Sequence, residues 1–552
     1  MQMRENPGTN GITPGVDTGI GPVMKGVYAR SVFAQRQMWR PLVIASGAAL
    51  FMALFLGYIS ARYSFSLLVV AIFGSILAWA IVKWPRFGLV VILAFMSTIV
   101  APEFFAFQVN PKWIYYAQEI VLLLILIGSL MYWARNHDDV TIFQRLHLTP
   151  ESLAVAIFFG VLLAKSLTIM IERHFSLSSA NEMYNFNRGL TFYLLFIPVL
   201  LILDSQKRLR WMVKVLYILG TIVMIRVLLE LLFPQWSIWT DISVSEPLAV
   251  ETPLVDLAVQ RLRAPGGTLE LMCFWTGMMS IILQPWTWKR LAFYIPFTLA
   301  MLTGMILEFN RSYILPMAGL LLLTTLLNRK YVRMKLLSVL AVAAVAVLIL
   351  MAVTGTMQKY IEASVMRYGS ALSSQSLESQ SVESRRIEQT YAFQAISQSP
   401  LFGIGLDELY RPPVPGMLDN LRWYIHDSYL WFWTYFGLVG LAAFVSVIVL
   451  SILRSVIYWK RVKDPLLQSA LLGSAFSLAT LLAANFAAPK FYDLAVVPVV
   501  AVLLAMSEAI IIWERKRDRG VRDRRVSQEP YRGPGSRERR KSASWFRDRA
   551  SR

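Results

Sequence analysis

The chain has 552 residues, 56% hydrophobic and 13% aromatic, with a formal net charge of +20 and a mean hydropathy of +0.52. Apolar runs of about 20 residues, the length that crosses a bilayer core, recur along it and make it a polytopic membrane protein. The basic excess sits in loops and tails, where cytoplasmic retention and anionic headgroups account for it and nucleic acid does not; the lone Cys273, within an apolar run, excludes a disulfide framework and a cysteine metal site.

Residues 1–40 lack apolar periodicity and read as a disordered cytoplasmic tail. Spans are expected at 41–60, 64–82, 87–102, 114–133, 151–171, 189–204, 211–233, 267–284, 290–308, 312–328 and 334–356, a first block covering 41–356. A large loop, 357–423, follows, and then spans at 424–453, 466–487 and 491–513 within a second block, 424–513. Residues 514–552 form a basic tail expected to be disordered. The fold class is therefore all-α, a transmembrane helix bundle of about 14 spans, with short helices in the large loop.

With the N-terminus inside, the loops carrying Lys83 and Arg86, Arg135 and Arg145, Lys207 to Lys214, Lys289 and Arg290, Arg329 to Lys335, and Arg454 to Lys463 all fall inside, and each is basic. Both tails are then cytoplasmic, and the polar mass of the chain, including 357–423, is extracytoplasmic.

Against that rule, the outer side carries Arg261 and Arg263 (QRLRAPGG), Arg311 (EFNRSYILP), and Arg385 and Arg386 in the large loop. Arg311 is the sharpest, because its turn between two apolar spans is too short for a solvated loop and a charge at that depth needs a partner, a ligand or a headgroup. In the loop, Ile387, Tyr391 and Ala395 mark one face of a helix that ends at Gln398 before Pro400, with Ser381 or Ser384 as N-cap. Arg385 and Arg386 would lie in its first turn, where backbone N–H groups add to an anion site. Gly403-Ile404-Gly405 permits a tight turn and is no dinucleotide fingerprint.

Of four histidines, His426 is the informative one, placed at the membrane boundary directly before the apolar helix that begins DSYLWFWTYFGLVG. An imidazole there can take a proton from a sugar hydroxyl near neutral pH, or merely cap the helix. Several arginines with one histidine suit a polyprenyl-diphosphate sugar: guanidinium forks hold the anionic leaving group and the histidine deprotonates the attacking hydroxyl. Such a site needs no metal and no other cofactor.

At these residues the sequence resembles the O-antigen ligase and O-antigen polymerase family of bacterial integral membrane glycosyltransferases. The resemblance runs from FNRSYILPMAGLLLL through the arginine-headed helix ending in PLFGIG to the histidine motif with its Gly-Leu-Val-Gly finish, roughly residues 300–450. It implies transfer of a glycan from an undecaprenyl-diphosphate carrier to a glycan, lipid-core or polysaccharide acceptor at the outer face of the bacterial inner membrane, without metal and with inversion. By position, His426 matches the family histidine, Arg311 the arginine at the turn, Arg385 or Arg386 the loop-helix arginine, and Arg263, with Arg261 a near competitor, the earlier one. The family usually has asparagine after its histidine; here Asp427 follows, an acidic neighbour able to raise the imidazole's pKa or orient it. The family also has roughly a dozen spans, so 87–102 or 189–204 would be re-entrant or the chain extended.

A lipid-linked oligosaccharide flippase is the alternative, favoured by the mid-span charges Lys165, Arg226 and Glu230. A carboxylate- and metal-dependent transferase ranks below it, because the first outside loop is only Ala61-Arg62-Tyr63. Ligase and polymerase share the donor chemistry and differ in the acceptor.

Overall fold

The structure, a computed structural model, describes residues 65–97, 106–110, 113–136, 149–172, 188–232, 266–307, 311–327, 333–335, 337–338, 341, 379–406, 408–414 and 422–528. The tail 1–40, the span at 41–60, most of that at 334–356, the segment with Arg261 and Arg263, and residues 529–552 lie outside them, as does the side chain of Arg311. Met1–Ala80 and Ile81–Arg552 are separate compact units, and the candidate site belongs to the second.

Among the described residues the regular secondary structure is helical except for one antiparallel hairpin, β1 (Ala106–Asn110) with β2 (Trp113–Tyr116), in the segment expected to link two spans. The helices are α1 (Phe65–Lys83), α2 (Pro85–Ser97), α3 (Ala117–Asn136), α4 (Pro150–Glu172), α5 (Arg188–Ile202), α6 (Gln206–Leu232), α7 (Gly267–Leu283), α8 (Trp288–Leu307), α9 (Arg311–Leu327), α10 (Ser379–Gln398), α11 (Ser428–Tyr458), α12 (Pro465–Ala484) and α13 (Val497–Gln528). Six of them (α3, α4, α6, α11, α12 and α13) contain stretches long and apolar enough to cross a membrane. This makes the chain a multi-pass membrane protein; the other helices that coincide with expected spans, such as α2 and α5, are shorter or less apolar, and among the described residues a count of fourteen is not reached.

Lipid-facing stripes account for the exposed apolar residues: on α3 they are Ile120, Leu123, Ile127 and Leu130, spaced by three and four along one face. At the centre stands α7, buried at every position from Gly267 to Ile282. Because lipid is as apolar as leucine, such a helix is held by close packing, and small residues permit it. At Gly473 of α12 a Cβ would come 2.5 Å from Thr276 Oγ1, so only glycine lets α12 approach. Trp275 on α7 is fully buried, and its indole N–H donates to Thr480 Oγ1 of α12 at 3.0 Å. At the end of α11 far from His426, the buried Arg454 bridges Glu151 of α4 (3.2 Å) and Glu508 of α13 (2.5 Å), tying three helices together.

The feature that positions the site is a kink in α11. Gly437 has φ 69° and ψ −175°, so the helical ladder breaks there and the groups around it need other partners. The PLFGIG segment supplies them: the Leu438 and Val439 N–H groups donate to the carbonyls of Pro400 (2.9 Å) and Leu401 (3.2 Å), and Ile404 N–H donates to the Thr434 carbonyl (2.8 Å). Non-helical backbone at that depth is tolerated because protein satisfies it. Leu401 and Phe402 remain exposed beside it. The segment read as a turn in a polar loop is thus spliced into α11.

Two expected boundaries change. Helix α10 starts at Ser379, so Ser381 and Ser384 lie inside it and Arg385 and Arg386 fall in its second turn, away from the exposed N–H groups of the first. No proline or glycine interrupts SQSVESRR, so nothing stops the helix later. The last helix runs on to Gln528, past the boundary at 514 where the tail was expected to lose structure. Opposite charges one turn apart support the extension, Arg517 pairing with Glu514, which also accepts from Lys463 N–H at 3.2 Å.

Candidate active site

Helix α10 packs on α11 through Glu388, Ala392, Ala395 and Ile396, all buried. The buried stripe is centred one residue beyond the Ile387–Tyr391–Ala395 face expected from spacing, and this puts a carboxylate in the interface. Glu388 is 5% exposed, and it meets His426. The His426 backbone N–H donates to Glu388 Oε2 at 3.1 Å, and Nδ1 lies 2.9 Å from Oε2 and 3.0 Å from Oε1.

A carboxylate at Nδ1 fixes the neutral ring as the Nδ1–H tautomer, which leaves the lone pair on Nε2. The His426 side chain is 36% exposed, so the imidazole is anchored on one edge and accessible elsewhere. The ring edge of Tyr424 stands at 85° to it, centroids 4.9 Å apart.

Three tyrosines hold the backbone that leads to His426. Tyr435 OH donates to the Trp423 carbonyl (3.0 Å), Tyr410 OH to the Tyr424 carbonyl (3.0 Å) and Tyr492 OH to the Ile425 carbonyl (2.6 Å). Burial pushes the Tyr410 and Tyr492 phenols well above their ordinary range, so both remain donors at any physiological pH. On the other side of the histidine, Ser428 N–H donates to the Asn485 carbonyl (3.0 Å) and Ser428 Oγ to Asn485 Oδ1 (2.6 Å). His426 is therefore held from both sides.

Asp427 does not orient the imidazole. Its carboxylate turns to the start of α11 and accepts from Tyr429 N–H (2.8 Å) and Leu430 N–H (3.2 Å), an N-cap, and the residue that orients the imidazole is Glu388. Burial raises the Asp427 pKa above the ordinary value, against the pull of those two hydrogen bonds. Because Asp427 caps the helix, His426 is not needed as the cap.

Arg385 lies three residues before Glu388, one turn along the same face, and is half-buried; its Nε is buried and has no hydrogen-bond partner among the described residues. Arg386 points elsewhere on the helix and is exposed. Arg311 opens α9, and two residues later Tyr313 OH shares a hydrogen bond of 2.7 Å with Thr268 Oγ1 in the first turn of α7. The chain that carries Arg261 and Arg263 enters α7 at that end, although both arginines lie outside the described residues. Lys165, which favoured a transporter, donates to the Gly403 carbonyl at 3.2 Å and so fastens the PLFGIG segment.

Residues 296–445 match the family model described as O-Antigen ligase. This stretch is similar to the O-antigen ligase domain. It covers about a quarter of the 552 residues and contains Arg311, Arg385, Arg386, Glu388 and His426, while Arg261 and Arg263 precede it and Asn485 and Tyr492 follow it. No curated protein matches the chain. The match suggests an enzyme of the ligase or glycosyltransferase type.

Three parts of the site escaped sequence reasoning. Glu388 sits among residues whose spacing reads as an apolar stripe. Buried Arg411, whose carbonyl accepts from Arg422 Nε at 3.0 Å, adjoins Tyr410 in an irregular segment. The connection 485–496 was hidden because the expected spans 466–487 and 491–513 left almost nothing between them; α12 ends at Ala484 and α13 begins at Val497. Asn485, Pro489 and Asp493 were the available signal.

Proposed function

We propose that this protein is a glycosyltransferase of the cytoplasmic membrane, with about 14 spans and both termini cytoplasmic, that moves a glycan from undecaprenyl diphosphate to an acceptor hydroxyl at the outer face. His426 Nε2 takes the proton of the acceptor hydroxyl, whose oxygen attacks the anomeric carbon from the side opposite the diphosphate. The bond from that carbon to the diphosphate oxygen breaks, its electron pair leaves with undecaprenyl diphosphate, and the configuration inverts. Glu388 keeps Nε2 in its accepting form before the step and offsets the imidazolium charge after it. Arg385, with Arg311 and Arg263 and with Arg386 and Arg261 as the nearest competitors, holds the diphosphate and stabilises the charge that develops on it. No metal enters the scheme.

The observation that carries this reading is the His426–Glu388 pair inside the stretch similar to the O-antigen ligase domain, with Arg385 one turn from Glu388. Ligase-type and polymerase-type activity use this machinery equally. The test is reconstitution in proteoliposomes with an undecaprenyl-diphosphate-linked glycan and a panel of lipid-core and lipid-linked acceptors, with and without chelator. Chelator-insensitive formation of a glycosidic bond is expected. Movement of the donor between leaflets without bond formation would establish the flippase reading in its place.

A further inference from the structure

The backbone that leads to the histidine opens on a cation that the scheme above does not use. Arg422 is part-buried and begins the run Arg422-Trp423-Tyr424-Ile425-His426. Its Nε donates to the Arg411 carbonyl at 3.0 Å, and beside that bond Tyr410 OH donates to the Tyr424 carbonyl at 3.0 Å, so two rungs join residues 410–411 to 422–424. Tyr435 OH holds the Trp423 carbonyl and Tyr492 OH the Ile425 carbonyl. Every carbonyl between Arg422 and His426 is thus anchored. Four residues of chain reach at most about 14 Å, and on the way the Tyr424 ring meets the imidazole edge-on, centroids 4.9 Å apart.

A guanidinium carries five N–H donors, and the Arg411 carbonyl takes one of them. The other four, on Nη1 and Nη2, make neither a hydrogen bond nor an ion pair among the described residues. The bond at Nε holds the stem of the side chain and leaves the Nη1–Nη2 edge for two oxygens of one anion, a fork that matches a phosphate. Tying residue 411 to residue 422 needs only the Nε–H; the charge and the fork are in excess of that task. The diphosphate is the anion that the proposed reaction brings beside His426.

We propose that Arg422 is a donor-binding residue, its Nη1–Nη2 edge taking oxygens of the carrier diphosphate beside His426. The inference rests on the proposed transfer from a diphosphate carrier. It adds to Arg385 of α10 a second guanidinium, from the irregular segment that ends at the base, so that two elements grip the leaving group.

The test uses the full-length protein in lipid nanodiscs. Arg422→Gln puts an amide N–H where Nε stands, keeping the bond to the Arg411 carbonyl while removing the charge and the fork; Arg422→Met removes all three. Binding of undecaprenyl diphosphate is measured against undecaprenyl monophosphate and against phosphatidylglycerol, alongside transfer kinetics and melting temperature. Arg422→Gln is expected to melt as wild type does, to bind undecaprenyl diphosphate about tenfold more weakly and to raise the donor KM by a similar factor, with the acceptor KM unchanged. Undecaprenyl diphosphate binding by Arg422→Gln equal to wild type would overturn the assignment and leave the transferase reading standing. Equal losses for all three lipids would mark Arg422 as a headgroup anchor, a rise confined to the acceptor KM would place it on the acceptor, and a fall in melting temperature as large for Arg422→Gln as for Arg422→Met would mark it as structural; each of these refutes the proposal. Wild-type protein that shows no preference for the diphosphate lipid would refute the donor reading and Arg422 together.

Discussion

Glu388→Gln isolates the charge of the dyad from its geometry. In the wild type, Oε2 receives both the His426 backbone N–H and Nδ1, at 3.1 and 2.9 Å. The backbone donor cannot invert, so it selects the amide orientation that keeps an oxygen at this position, and the imidazole retains its Nδ1–H tautomer. What is lost is the difference between a charge-assisted and a neutral hydrogen bond to the developing imidazolium, about 1–2 kcal/mol. That corresponds to a fall in kcat of about 5- to 30-fold, with both KM values little changed. Glu388→Ala also leaves two donors without their acceptor and the tautomer unset, and kcat should fall about 10²- to 10⁴-fold. The assay is single-turnover transfer in proteoliposomes, with variant abundance and monodispersity matched. A Glu388→Ala variant within about threefold of wild type in kcat would refute the dyad, and losses confined to KM would place Glu388 in binding.

Among the arginines, Arg385→Lys should raise the donor KM and lower kcat, together about tenfold or more, because a point charge cannot replace a planar fork, while Arg386→Lys stays within about threefold; donor titrations of the two variants decide it. Gly437→Ala forces a side chain into φ 69° and sets a Cβ 2.2 Å from the Leu401 carbonyl oxygen. It should cost about 1–3 kcal/mol, seen as a lower melting temperature in detergent, and activity should fall with it as PLFGIG undocks and α10 shifts. Asp427→Asn preserves the N-cap and removes a buried charge. A raised folded pKa means that this group's stabilisation is complete below the ordinary carboxylate value and is lost as pH rises through the folded one. The variant should therefore lack that loss, melting higher than wild type at neutral pH with transfer retained; a melting curve with the same pH dependence in both proteins would contradict the assignment.

How much was legible in advance depends on the kind of interaction. The helical membrane class and the positions of six apolar helices long enough to span are written in local hydropathy, and His426 stood out because a titratable ring directly precedes a long apolar run. Glu388 carried no such mark. Its partner is 38 residues away, and in its own segment the spacing by four at 387, 391 and 395 drew the apolar face one residue off. Asp427 misled for the opposite reason: adjacency in sequence suggested an effect on the imidazole, yet at the start of a helix the nearest unsatisfied donors are N–H groups two and three residues ahead, and these took the carboxylate. The PLFGIG and GLVG motifs were each visible, but their docking is made of backbone hydrogen bonds across more than 30 residues, which leave no period in the sequence. Connection 485–496 was concealed by apolar residues on both sides, and its turn residues were absorbed into spans.

The central claim is that His426 Nε2 removes the proton from the acceptor. The most direct measurement is single-turnover glycan transfer by His426→Ala in proteoliposomes, alongside direct binding of the undecaprenyl-diphosphate donor to the same preparation. The account predicts wild-type donor binding with transfer reduced to background. Transfer at the wild-type rate by His426→Ala would contradict it.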